Sequence, residues 1–376
     1  MENVTDFPGE NEIDESASNV TGGGLGFDMA MFFLQNRLAV PDGYEMFLYS
    51  LYFVLIIGGN IWVIIAVIRQ PKLRKSATNL FIISLSTADL LMGLFDIPWR
   101  FLFEWAGRYF VYLNNNIYVC WTFAWFQWIS RCATVNSLVG IAIDRYRAIV
   151  QPMKPRITRK QGGIIVAIIW ILAIGYGLRK SIIIDMYEYT IQITNVTRTF
   201  CMVPLHYHYL KPYFQVMDAI VMYILPLIII VALYSVMISS LWFSKGPSNA
   251  SNRNKKKAVK MLTLVVFLFA LSWLPYYIYQ LYFTFYLTPS LDLIYYMELW
   301  WHISHNMYVC NSFVNPFLYA YFNENFRKEF FKMFPCLKAI MQRKVAPVTS
   351  TNSMKTKSQY GNSTATAVST VSQGTV

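Results

Sequence analysis

The sequence predicts an all-α membrane protein: a seven-transmembrane helix bundle followed by a short interfacial eighth helix. Three observations carry that prediction. Of the 376 residues, 56% are hydrophobic and only 14% are charged, whereas an average soluble domain is roughly 25% charged. A water-soluble chain of this composition could not cover its apolar surface and stay dispersed. The apolar residues gather in seven stretches, at about 45–68, 78–103, 117–150, 162–180, 213–243, 256–286 and 293–321. Each is long enough to cross a hydrocarbon core of ~30 Å as a helix, and helix is the default because lipid offers backbone amides no other partner. The basic residues fall between the stretches and mostly on one side. The same composition excludes a disordered, collagen-like or disulfide-knot protein. The net charge of +12 would by itself suit nucleic acid or an anionic surface. These cations come in short clusters between apolar stretches without a nucleic-acid motif, so no nucleic-acid partner is expected.

Residues 1–44 read as an extracellular, glycosylated tail. The first 41 residues hold seven acids and one arginine and no apolar core after a basic start, so no cleaved signal peptide is expected and the first span would act as signal anchor. Asn3, Asn19 and Asn195 each head an Asn-X-Thr acceptor sequence on the expected outside. The segment 45–322 is the bundle. Counting Lys and Arg in the inner segments gives four (Arg69 to Lys75), six (Arg145 to Lys160), six (Lys245 to Lys260) and eight (Arg327 to Lys357), or 24 of 32, against three of 20 acids. That bias sets the N-terminus outside and the C-terminus in the cytoplasm. The seventh span is the weakest, because Trp300, His302 and His305 make its first half polar. Residues 323–336 place Phe326, Phe330 and Phe334 on one helical stripe beside basic residues, which suits a helix lying in the membrane interface, and Cys336 follows as a palmitoyl site. Residues 337–376 read as a disordered cytoplasmic tail. Its last 28 positions hold 13 Ser or Thr and no acid, a cluster that phosphorylation would turn strongly anionic.

Seven motifs follow one another in order, one per span: Gly59-Asn60; Leu85-Ser-Thr-Ala-Asp89; Cys120 with Asp144-Arg145-Tyr146; Trp170; Pro226 with Tyr234; Phe269-Ala-Leu-Ser-Trp273-Leu-Pro275; and Asn315-Pro-Phe-Leu-Tyr319. In type, order and spacing this set resembles the rhodopsin-like (class A) family of G-protein-coupled receptors over about residues 45–336. The resemblance implies a conformational switch at the plasma membrane and no enzyme activity. It implies a Cys120–Cys201 disulfide on the oxidising outer side, leaving Cys132 and Cys310 as packing thiols. It assigns Asp144, Arg145 and Tyr146, with Pro152 and Met153 of the second inner loop, to coupling with a heterotrimeric G protein. Trp273, Pro275, Phe269, Val135, Pro226, Tyr234 and Tyr319 become the residues that rearrange on activation. Asp89, an intramembrane carboxylate, joins Thr134, Asn311, Ser312 and Asn315 as a polar network. An allosteric sodium ion is the one inorganic ligand it suits, with no other metal and no cofactor; a water-filled network is the plainer alternative. The resemblance also implies a receptor kinase and arrestin at the phosphorylated tail, and membrane lipids around the bundle.

The outer cavity bears on the ligand. Gln127 stands where amine receptors of the family carry an aspartate, so a monoamine is disfavoured. No lysine lies between Lys260 and Lys328, which excludes a retinal Schiff base. Peptide receptors often have glutamine at this position and a hairpin in the loop before the fifth span, and 187–201 is rich in Thr, Tyr and Ile with partial alternation, as strands prefer. Asp185, Glu188 and the acidic N-terminus would attract a basic peptide. Asp96, Arg100, Arg131 and Asp218 put charge inside the outer half of the membrane. Arg131 unpaired would be costly there, so it is expected to pair with Asp96, with Asp218 or with a ligand carboxylate; Asp218 is a candidate for a ligand cation. Tyr276, Gln280 and His305 complete the wall. The expected ligand is a short extracellular neuropeptide. A small zwitterionic or amine transmitter is the alternative. A transporter or membrane enzyme is the alternative of another class, against which stand the lack of an internal repeat and of clustered metal ligands.

Overall fold

The computed structural model describes residues 42–100, 116–191, 196–203, 209–242, 250–285, 291–333 and 335. Seven long helices run in chain order: α1 (Asp42–Arg69), α2 (Ala77–Arg100), α3 (Ile117–Val150), α4 (Arg159–Ile182), α5 (Lys211–Trp242), α6 (Ala250–Phe285) and α7 (Leu291–Phe322). Their bounds follow the seven apolar stretches to within a few residues. Between α4 and α5 lies an antiparallel hairpin of β1 (Asp185–Ile191) and β2 (Val196–Met202), in a register that sets Glu188 opposite Thr199. A short helix α8 (Glu324–Met333) follows α7.

Local signals start the helices where the sequence places them. Asn116 caps α3 by accepting from the Tyr118 amide at 2.9 Å. Thr158 and Gln161 form a reciprocal capping box at the start of α4, at 3.2 and 3.0 Å, which satisfies two otherwise orphaned donors. Two helices are not regular throughout. α2 contains a π-helical turn at Met92–Asp96, and α5 another at Ile220–Ile224.

Five of the helices, α1, α2, α4, α5 and α6, are long and apolar enough to cross a membrane by length and composition alone, among the described residues. α3 and α7 fall short for one physical reason: they carry the polar interior. α3 buries Ser130, Arg131, Thr134, Ser137 and Asp144; α7 buries Ser304, His305, Asn311, Ser312 and Asn315. The expected weakness of the seventh span is thus shared by the third. Large apolar side chains such as Val54, Ile171 and Ile228 instead point outward, where lipid replaces water as solvent.

α3 packs against α2, α4 and α5, while α7 packs against α6 and α1. Side-chain bonds to neighbouring helices lock these contacts. Asn60 Nδ2 donates to Ile56 O at 3.0 Å and across to Ser312 O at 2.9 Å, tying α1 to α7. Trp170 Nε1 donates to Ser84 Oγ at 3.0 Å, and Ser84 shares a bond with Ser137 Oγ at 2.8 Å, joining α4, α2 and α3. Gly177 lets α4 approach α3 closely: a Cβ there would lie 2.9 Å from both the ring and the carbonyl of Trp125.

α8 differs in one respect from the stripe expected over 323–336. Phe326 is wholly buried, with its ring stacked on Tyr319 at 5.6 Å and edge-on to Trp62 at 6.1 Å; Phe330 meets Trp62 at 5.4 Å. The inner part of the stripe therefore docks on α1 and α7 rather than facing lipid, since an aromatic groove is available at their inner ends. Phe334 and Cys336 lie outside the described side chains, as do Asn3, Asn19, Asn195 and the tail.

Candidate functional site

The half of the bundle that bears the hairpin, outer in the orientation the sequence predicts, holds two buried ion clusters. The first centres on Arg131, 7% exposed, which reaches from α3 toward α2, α6 and α7. Its Nη2 lies 3.4 Å from Asp96 Oδ1, its Nη1 donates to the Tyr276 hydroxyl at 3.0 Å, and Nη2 also reaches the Tyr308 hydroxyl at 3.3 Å. Tyr308 in turn donates to Asp96 Oδ2, and His305 Nε2 approaches the same oxygen at 3.7 Å. Of the three expected partners of Arg131, the structure selects Asp96. The π-helical turn ends on that residue. Arg100, one turn beyond, lies 4.4 Å over the ring of Trp301.

The second cluster centres on Asp218 of α5, 1% exposed. Arg179 Nη2 binds Oδ1 at 2.6 Å, Lys180 Nζ lies 2.6 Å from Oδ2, and the Tyr176 hydroxyl donates to Oδ1. The carboxylate expected to await a ligand cation is thus occupied by two cations of the chain itself, both from the outer end of α4. Trp128 of α3 joins the clusters: Arg131 lies 5.0 Å and Lys180 4.5 Å from its ring centroid. Each contact is a cation–π attraction.

The remaining outer candidates occupy less charged positions. Gln127 is half-buried, and its Nε2 has no acceptor. Gln280 accepts from Gln215 Nε2 at 3.2 Å, linking α6 to α5. Glu188 lies on β1, with only its backbone described. Cys120 and Cys201 are disulfide-bonded, with Cα atoms 6.0 Å apart, so the hairpin is pinned to the outer end of α3. Trp121 Nε1 adds a bond to Ile184 O at 2.8 Å.

Near the membrane centre, Asp89 is fully buried. Asn315 Nδ2 donates to its Oδ2 at 3.2 Å, while Oδ1 receives no hydrogen bond. Thr134, Asn311 and Ser312 are buried as well. A buried carboxylate oxygen without a donor, together with hydroxyl and amide oxygens, is a donor set that fits a small hard cation. Beside the network, Phe269 and Trp273 are buried with ring centroids 5.6 Å apart, and Val135 and Pro226 are buried too. Pro275 lies inside α6, where it removes one backbone donor. Tyr223 donates to the carbonyl of Ala270 at 2.7 Å, bracing α5 on α6 just ahead of Trp273.

At the inner end, Asp144 holds Arg145 through Nη2 at 2.6 Å and Nε at 3.1 Å. Thr78 of α2 stands between them, bonded to both Asp144 Oδ2 and Arg145 Nη2. These residues border a cavity of about 410 Å³ that Lys72, Lys75, Arg147 and Arg156 also line. Tyr146 is half-buried, Pro152 is exposed and Met153 is 95% exposed. Tyr234 and Tyr319 are buried, and the Tyr319 hydroxyl has no partner.

Several of these residues carry no local mark in the sequence. Thr78, Tyr308 and Trp128 look like ordinary span residues. Arg179 and Lys180 do give a signal: adjacent cations at the outer end of a span, against the inward bias of the rest.

The whole inner arrangement sits on a chain whose residues 59–319 match the family described as 7 transmembrane receptor (rhodopsin family). The chain belongs to this family. As a rhodopsin-family receptor it is a multi-pass membrane protein. Among its relatives, neuropeptide FF receptor 2 of Mus musculus is 31% identical over 85% of this chain and 79% of its own length. The substance-P receptor of Homo sapiens is 28% identical over 77% and 70%. Tachykinin-like peptides receptor 99D of Drosophila melanogaster is 26% identical over 88% and 63%. The receptor keeps every one of the seven ordered motifs within or beside the matched segment.

Proposed function

We propose that the receptor responds to a short extracellular neuropeptide and activates a heterotrimeric G protein by opening the cytoplasmic side of the bundle. The observation that carries this reading is its similarity, along more than three quarters of the chain, to receptors named for peptides. A neutral Gln127 agrees with it, as does a hairpin fastened to the outer end of α3 by Cys120 and Cys201. A zwitterionic transmitter would need Arg131 and Asp218 both vacant. Each has partners within the chain, which favours the peptide.

In this reading the peptide enters from the hairpin side, near Gln127, Glu188, Gln280, Tyr276 and His305, with Asp96, Arg100, Arg131 and Asp218 below as the charged floor. Binding favours the state in which α6 swings outward about Pro275. Phe269, Trp273, Val135 and Pro226 repack, and Arg145 leaves Asp144 for the G protein beside Pro152 and Met153. Asp89, with Thr134, Asn311, Ser312 and Asn315, would hold a sodium ion, whose charge would oppose that change. Residues 1–44 are the glycosylated extracellular tail, carrying Asn3 and Asn19; Asn195 bears a third glycan. Residues 323–336 form the interfacial helix, ending on a palmitoylated Cys336. Residues 337–376 face the cytoplasm as the substrate of a receptor kinase and a docking strand for arrestin.

The test is nucleotide exchange on Gα in membranes from cells expressing the full chain, screened with neuropeptides, amines and amino acids. Peptides are expected to raise exchange and Arg145→Ala to abolish the rise at unchanged surface level. Activation by amines or amino acids alone, or full signalling by Arg145→Ala, would overturn the reading.

A further inference from the structure

The charged band across the outer bundle holds more cation than anion. Among the described residues, Arg131, Arg179 and Lys180 face only Asp96 and Asp218, which leaves one positive charge in excess before Arg100 is counted. That excess falls on Arg179. Its Nη2 is taken by Asp218, but its Nε and Nη1 are buried and donate to nothing. Asp218 cannot serve them, because Lys180 and Tyr176 occupy the same carboxylate. Arg179 therefore shares its single acid with a second cation.

Its surroundings favour an anion there. The Tyr176 and Phe214 rings flank the guanidinium at 4.6 and 4.9 Å, so water is largely displaced and an opposite charge gains more than it would in solvent. Within the cluster the Arg179 side chain is the most exposed, at 24% against 11% for Lys180 and 1% for Asp218. On the neighbouring α3, Gln127 Nε2 is another buried donor without an acceptor. Buried donors left unmatched are costly, and each of the two, pointing to opposite edges of the planar guanidinium, can donate to an oxygen of a carboxylate or sulfate.

We propose that Arg179, with Lys180 and Asp218 as its positioning residues, anchors an acidic group of the ligand. The inference rests on the peptide reading and gives one group of that peptide a sign: negative, the reverse of what a vacant Asp218 would select. The group is a carboxylate or a sulfate, reaching Arg179 from the outer mouth between α3, α4 and α5. It supplies the second acid that the cluster lacks.

The test uses the full-length, epitope-tagged receptor in cell membranes and reads nucleotide exchange on Gα. The probe is a set of short synthetic peptides amidated at the C-terminus. Each is made as twins that differ only by Asp against Asn, Glu against Gln, or sulfated against plain tyrosine. On the wild type, the acidic twin of an active pair is expected to be about tenfold or more potent, the scale of one charge-assisted bond. The pair type that discriminates separates carboxylate from sulfate. Arg179→Gln should erase the potency ratio between the acidic twin and its neutral partner. Equal potency of all twins on the wild type overturns the subsite, and so does an equal loss for both twins in Arg179→Gln, which marks a structural ion pair. If the glutamine variant stays inside the cell, Arg179→Lys replaces it: a reduced acid preference supports the site, and a wild-type preference overturns it. Peptide activation without acid preference defeats the subsite alone. No activation by any peptide defeats the peptide reading and the subsite together.

Discussion

Removing the charge of Asp96 tests the interior most directly. In Asp96→Asn, Arg131 stays buried and ionised with only neutral partners: the hydroxyls of Tyr276 and Tyr308 at 3.0 and 3.3 Å, and the rings of Trp128, Tyr276 and Tyr308 at 5.0, 5.4 and 5.3 Å. Breaking a buried pair by losing one partner typically costs about 3–5 kcal/mol. Three rings and two phenols keep solvating the guanidinium, so we place the loss near the lower end, about 3 kcal/mol. Arg131→Met alone is milder, about 2 kcal/mol, because Asp96 still accepts from Tyr308. The double variant carries no stranded charge and should fall within about 1 kcal/mol of wild type. The cycle then gives a coupling of roughly 4 kcal/mol in favour of the pair. Thermal unfolding of the purified receptor in detergent, followed with a thiol-reactive dye in a Cys336→Ser background, reads these differences. Cys132 is buried and Cys310 half-buried, so labelling reports opening of the bundle. Asp96→Asn should lower the transition by roughly 5–10 °C, with most of that loss restored in the double variant. If the shifts of the two single variants simply add, the two side chains do not form an energetically coupled pair.

Three further outcomes are expected. Cys120→Ser should deplete surface receptor and blunt peptide response. The 81-residue separation sets an upper limit of about 4–5 kcal/mol, because lipid already restrains the intervening spans; unaltered surface staining and potency would contradict it. Asp89→Asn should make ligand-free nucleotide exchange indifferent to sodium, whereas the wild type loses exchange as sodium replaces choline; equal sodium sensitivity in both would remove the ion from this network. Gly177→Val should destabilise the receptor by about 1–3 kcal/mol through overpacking, since the new Cβ meets the Trp125 carbonyl at 2.9 Å. Gly175→Ala, with nothing within 4 Å, serves as the control, and matched melting of the two variants would refute the close approach of α3 and α4.

The spans were legible because lipid makes a long apolar run nearly synonymous with a helix. The Asp144–Arg145 pair was legible because its members are adjacent. Thr78, which bonds both, comes from another helix 66 residues earlier, and no pattern in the chain announces that. Arg131 was recognised as needing a partner, and chemistry limited the choice, but selecting Asp96 over Asp218 required the third dimension. Asp218 is legible as a membrane carboxylate suited to a cation, but that Arg179 and Lys180 face it comes from another helix, which nothing near Asp218 in the chain announces.

The docking of α8 bears on how the two ends of the receptor communicate. Tyr319 stacks on Phe326, and Phe326 rests on Trp62, so α1, α7 and α8 share one apolar joint. If Tyr319 turns inward during activation, Phe326 must follow it or leave a ring-sized void, which cores strongly resist. The short helix is thus geared to the seventh span instead of trailing behind it. A probe fixed to α8 would therefore act as a clock hand for the state of α1 and α7.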